Sequence, residues 1–170
     1  MKLPWPGINA NGTVLIQLAL DSFSLAQGSV LVQGEYFTPK DELHVTLIGE
    51  KVGSLLQQQI TRESETSKII EKLFEDIDWS FEKTGPVHIL SRLQKGSRQK
   101  SIIMLVEMPG MAIFYQQLVA LGLLPDKTPL PPAHVTLYTH NCSLGIGVPS
   151  DEALNTLSIE TMSVSALDNM

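Results

Sequence analysis

Two histidines and two threonines recur in the same order in two identical tetrapeptides, His-Val-Thr-Leu at 44–47 and again at 134–137. An imidazole can take or give a proton near neutral pH, and a hydroxyl can donate a hydrogen bond to an anionic oxygen. Together, His44, Thr46, His134 and Thr136 offer one proton acceptor, one proton donor and two hydroxyls for non-bridging oxygens. That set suffices for in-line displacement at a phosphodiester, with no metal required. A lone His-x-Thr is an ordinary feature of a half-exposed strand. Average residue usage makes an accidental second HVTL an event on the order of one in a thousand.

The elements that must position these groups read as strands. The tetrapeptides lie in ELHVTLIG (42–49) and PAHVTLYTHN (132–141). Successive strand residues point to opposite faces, so His44 and Thr46 oppose Val45 and Leu47, and the second copy behaves alike. Two apolar residues anchor each motif while the imidazole and hydroxyl are presented on the other side. If the second strand runs without a bulge, Tyr138 and His140 share the face of His134 and Thr136. Tyr138 could then stack on a base, bond a phosphate oxygen, or remain a half-exposed strand tyrosine. His140 fits either the site or the surface near the strand end.

Around these strands, TVLIQLAL (13–20) and SVLVQGEYF (29–37) read as a hairpin joined through Asp21–Gly28. Residues 54–77 change to helical period, with Ile69, Ile70, Leu73, Phe74 and Ile77 on one stripe and Ser64 a candidate N-cap. Strands are expected at 78–83, 86–92 and 101–108, with a polar turn at 95–100. A helix follows at 111–124, then a four-proline loop (125–132) and a closing strand at 158–167. Each half thus contributes strands and about one long helical segment, a crude duplication of plan. The expected class is α+β with mostly antiparallel sheet.

The chain of 170 residues carries 12 basic and 18 acidic residues, a net charge of −6, which argues against a broad electrostatic grip on long nucleic acid. Segment 84–106 has no acidic residue and holds Arg92, Lys95, Arg98 and Lys100. It is either a solvated hairpin tip or a clamp for flanking phosphates. There is no His-Glu-x-x-His, no paired cysteines and no carboxylate at ligand spacing beside either motif, so neither metal nor cofactor is expected. His88 reads as a satisfied structural histidine and the single cysteine, Cys142, as inert. The Pro- and Gly-rich start and the short run VLIQLAL resemble neither signal peptide nor membrane span, and a cytoplasmic monomer with no membrane partner is expected.

Two H-x-T-L strands ninety residues apart, the second approached through prolines and preceded by the helix MAIFYQQLVALGLL, resemble the 2H phosphoesterase superfamily, with its 2′,3′-cyclic phosphodiesterases and 2′-5′ RNA ligases. The resemblance implies one bilobal domain over 1–170. Two pseudo-symmetric lobes of mostly antiparallel sheet, with helices outside, would flank an active-site cleft. It implies that His44 and His134 are the acid–base pair and Thr46 and Thr136 the phosphate-orienting hydroxyls. The substrate would be a 2′,3′-cyclic nucleotide or an RNA 3′ end. Tyr138, His140, Arg92, Lys95 and Arg98 are flanking candidates from the residue reading alone, since the family often has basic residues after its second motif where this chain has Tyr138 and His140. The alternative is a cleft that binds a nucleotide or RNA end without turnover.

Overall fold

Strand-forming runs of branched and aromatic residues fold here into one antiparallel sheet rather than into separate hairpins. The computed structural model describes residues 1–168. The strands are β1 (Val14–Leu18), β2 (Val30–Val32), β3 (Glu35–Pro39), β4 (Leu43–Ile48), β5 (Glu82–Gln94), β6 (Ser97–Glu107), β7 (His134–His140) and β8 (Ser158–Ser163). The helices are α1 (Glu50–Arg62), α2 (Thr66–Asp76), α3 (Pro109–Ala120), α4 (Asp151–Leu157) and the short α5 (Ser165–Asp168). Strand order is β1-β4-β7-β6-β5-β8, and the β2–β3 hairpin adds to β7 through β3. The class is therefore α+β, and the two halves of the chain meet in one sheet at β4 and β7.

Several boundaries differ from those expected of the sequence, each for a local reason. Gln33 and Gly34 both take positive φ, 53° and 81°, which closes a two-residue hairpin turn. Residues 29–37 are consequently two strands, and β1 pairs with β4 instead of with them. Thr84 and Gly85 do not separate two strands. They sit in a register shift within the single long β5. The polar turn after β5 shrinks to Lys95 and Gly96, again both at positive φ, so β6 begins at Ser97. Helix α1 starts at Glu50, directly after β4, and α2 is preceded by Glu65 without a side-chain cap. The closing strand ends at Ser163, and α4 before it has no counterpart among the expected elements.

One face of the sheet, the helix face, carries the main core. Val45 and Val135 are fully buried there with Leu56 of α1, Ile70 and Phe74 of α2, and Phe114 and Leu118 of α3. Trp79 stacks on Phe74 at 4.5 Å between ring centroids and donates from Nε1 to the Phe74 carbonyl at 2.9 Å. Gly53 lets α1 lie directly on the turn before β1, because a Cβ at that position would fall 1.6 Å from the Gly12 carbonyl oxygen. On the opposite face, Leu90 and Ile103 are covered by Ile146 and Val148 of the loop after β7 and by Leu154 of α4. Helices α1–α3, with Leu3, Trp5, Ile8, Phe23 and Leu25, thus cover the core side, and α4 with the loop after β7 packs on Leu90 and Ile103 of the other side.

Candidate functional site

The two tetrapeptides are brought into contact. Strands β4 and β7 run antiparallel and pair at Val45 and Val135. Both valines point into the core, so alternation turns His44, Thr46, His134 and Thr136 to the opposite, site face. The antiparallel run sets His44 alongside Thr136 and Thr46 alongside His134. Each imidazole therefore has the other strand's hydroxyl as its neighbour.

The two histidines differ in their supports. His134 is 8% exposed, and its Nδ1 lies 2.9 Å from the Pro132 carbonyl oxygen. A carbonyl only accepts, so Nδ1 carries the proton and neutral His134 keeps a lone pair on Nε2. Burial pushes its pKa below the usual histidine value, the Pro132 hydrogen bond opposes that, and charge on His44 lowers it further. Each histidine therefore disfavours protonation of the other. His44 leaves 23% of its side chain exposed, and its Nδ1 is buried without a hydrogen-bond partner. Desolvation also lowers its pKa; Glu42, with Oε1 3.9 Å from Nδ1, raises it, and Lys40 lowers it.

The flanking candidates separate to different sides. Strand β7 pairs Tyr138 with Ile102 and Thr136 with Ile103, which leaves Leu137 as an extra residue. That bulge breaks the alternation. Tyr138, 3% exposed, turns into the main core, where its Oη accepts from the Ala26 amide at 2.9 Å. His140 turns the same way: its Nδ1–H donates to the Tyr36 carbonyl at 2.8 Å, and its ring lies 5.5 Å from that of Phe37. The shared face expected for all four residues is thus corrected to His134 and Thr136 alone.

Among the basic residues, Arg92 stays on the site side of the β5–β6 hairpin, opposite Gln99, to whose Oε1 its Nε donates at 2.9 Å. Arg98 lies on the other side, donating to Ser91 Oγ at 3.1 Å, and Lys100 is ion-paired with Glu35. Lys95 forms the hairpin tip. The four basic residues do not converge on the histidines. His88 sits within 3.2 Å of Ser158 Oγ and Thr161 Oγ1, and burial lowers its pKa. Cys142 is half-buried with Sγ 3.5 Å from the Lys100 carbonyl. Among the described residues no group of three or more His, Cys, Asp or Glu converges on a point, and no helix is long and apolar enough to cross a membrane.

Three neighbours of the site are not among the residues the sequence singles out. Gln17 of β1 pairs with His44 and is exposed; its signal is a polar residue at a non-core position of TVLIQLAL. Gly145, at φ 77°, packs against Thr136, where a Cβ would stand 3.1 Å from Oγ1. Lys40 joins the strand pair from the β3–β4 turn, its amide donating to the Leu137 carbonyl at 2.9 Å. No sequence signal marks the last two, because both arrive through tertiary contacts. Two hollows in the molecular surface, of about 390 Å³ beside Gln58 of α1 and about 310 Å³ beside Trp5 and Ile70, do not include the histidines. Comparisons with protein-family models, with curated proteins and with solved structures each return no match.

Proposed function

We propose that this protein is a metal-independent 2H-type phosphodiesterase that opens a 2′,3′-cyclic phosphate on a nucleotide or RNA end. The observation that carries the reading is the antiparallel pairing at Val45 and Val135, with both His-x-Thr pairs on one sheet face. Two proton carriers and two hydroxyl donors side by side meet the needs of displacement at phosphorus. The seam between β4 and β7 is a single ladder pair, against ten between β5 and β6. Two further pairs, Thr38–Thr139 and Pro39–Tyr138, tie β3 to the same edge of β7, so the two halves of the chain join along a narrow seam beside the histidines.

In this mechanism neutral His134, its Nδ1–H held by Pro132, takes a proton from water at Nε2 as the oxygen bonds to phosphorus. Protonated His44 returns a proton to the ribose oxygen as its P–O bond breaks, and the ring-opened phosphate monoester leaves. Thr46 and Thr136 donate to the non-bridging oxygens. Both imidazoles start below the usual histidine pKa, and a bound phosphodiester anion opposes that shift by favouring the protonated form.

The test is a panel of 2′,3′-cyclic mononucleotides, 2′-5′ dinucleotides and cyclic-ended oligonucleotides, with product position determined and EDTA present. His44→Ala and His134→Ala should each lower turnover about a hundredfold or more with the fold retained. Near-normal hydrolysis by either variant removes the mechanism. Saturable binding without product over long incubation would instead favour a non-catalytic nucleotide or RNA-end receptor.

A further inference from the structure

The four motif residues bring no permanent positive charge to a site meant for an anion. Both histidines are pushed towards their neutral forms, and the basic hairpin residues 92–100 are spread over two sides of β5–β6, with Lys100 already paired to Glu35. Lys40 is differently placed. It follows Thr38, which pairs with Thr139 of β7, and Phe37 before it faces the main core. Alternation therefore gives Thr38 and Lys40 the site face.

The Lys40 ammonium donates to the Ser143 carbonyl at 2.8 Å. Ser143 lies two residues before Gly145, the residue pressed against Thr136. The same ammonium is one of the charges felt by His44. These relations put Lys40 on the loop that packs against Thr136 and within electrostatic reach of His44. Among the described residues its ammonium has this one acceptor for three N–H donors, and an ammonium in this setting is an effective partner for phosphate oxygens.

We infer that Lys40 is the anion-binding residue of the His/Thr face, holding a substrate phosphate between His44 and Thr136 while clipping the loop at Ser143. The inference rests on the phosphate-site reading but not on turnover. Neither the tetrapeptides nor the basic run at 92–100 points to it.

The experiment follows the His44 and His134 ring resonances of the full chain during titration with inorganic phosphate. Lys40→Met should weaken phosphate binding roughly tenfold or more, Lys40→Arg should restore most of it, and Lys40→Gln should fail like methionine. Without phosphate, the His44 titration midpoint should rise in Lys40→Met, because a nearby cation is gone while Glu42, the other charge acting on His44, is untouched. Wild-type protein without phosphate-dependent shifts overturns the inference. So does Lys40→Gln binding phosphate as wild type does, since glutamine can keep a hydrogen bond to Ser143 without the charge. If Lys40-dependent phosphate binding persists while the cyclic-phosphate panel shows no product, the hydrolase reading falls and the Lys40 assignment stands. Cyclic-phosphate turnover with unchanged KM in Lys40→Met does the reverse: the hydrolase reading stands and the Lys40 assignment falls.

Discussion

Strand β4 ends at Ile48, and Gly49 passes straight into α1, where an added Cβ would meet nothing within 4 Å. Strand β7 carries the same tetrapeptide but continues to His140, and its following loop folds back so that Gly145 lies on Thr136. His134 is nearly buried and fixed through Nδ1, whereas His44 is part-exposed with an unpartnered Nδ1 beside Glu42. Two identical tetrapeptides are thus set in unequal frames, one open and one covered. Equal chemistry in unequal surroundings is how one site can hold a base and an acid at the same pH.

The strongest way to break this contrast is at the two glycines. Gly145→Ala forces a Cβ to within 3.1 Å of Thr136 at a positive φ of 77°. The strained backbone costs about 1–2 kcal/mol, and the displaced hydroxyl should lower turnover about tenfold. Gly49→Ala, at ordinary φ with nothing within 4 Å, should cost about 1 kcal/mol at most and leave turnover intact. Steady-state kinetics and thermal melts of the pair check this. Equal effects from both substitutions would mean that the loop does not position Thr136.

A second contrast concerns pH. His44, His88 and His134 all have folded-state pKa values below the usual one, with burial the largest cause. The folded protein therefore binds fewer protons than the unfolded chain as pH falls through about 6.5. The stability linked to neutral histidine is whole above that point and is lost progressively as pH drops towards the folded values. His134, the most buried of the three, should contribute most. Urea midpoints at about pH 7.5 and about pH 5 should differ less in His134→Asn than in His44→Asn. The reverse order would contradict the buried and open assignment of the two copies.

Legibility in the sequence follows the range of the forces involved. The strands carrying His44 and His134, and helix α3, are readable because apolar alternation and helical period are local. The meeting of the tetrapeptides can be suspected only from their repetition, since nothing near Val45 specifies Val135 as its partner. Lys40, Gln17 and Gly145 reach the site through strand pairing and loop return, which no local pattern records. Positive φ at Gln33 closes a hairpin where the branched residues of 29–37 suggest one strand.

The bulge at Leu137 is the sharpest case, because HVTLYTH alternates as a sequence and only the pairing with Ile102 and Ile103 breaks it. It separates Thr136 on the site face from Tyr138 in the core, and that separation can be measured. Tyr138→Phe removes the oxygen that accepts from the Ala26 amide and should cost about 1–2 kcal/mol by leaving that donor unpaired. Turnover and phosphate affinity should stay within about twofold of wild type, as expected for a side chain that does not touch the substrate. Denaturant unfolding beside kinetics on the same preparation reads both quantities. A stable Tyr138→Phe protein with impaired turnover would put the hydroxyl back on the catalytic face and restore the uninterrupted alternation that the register of β6 and β7 denies.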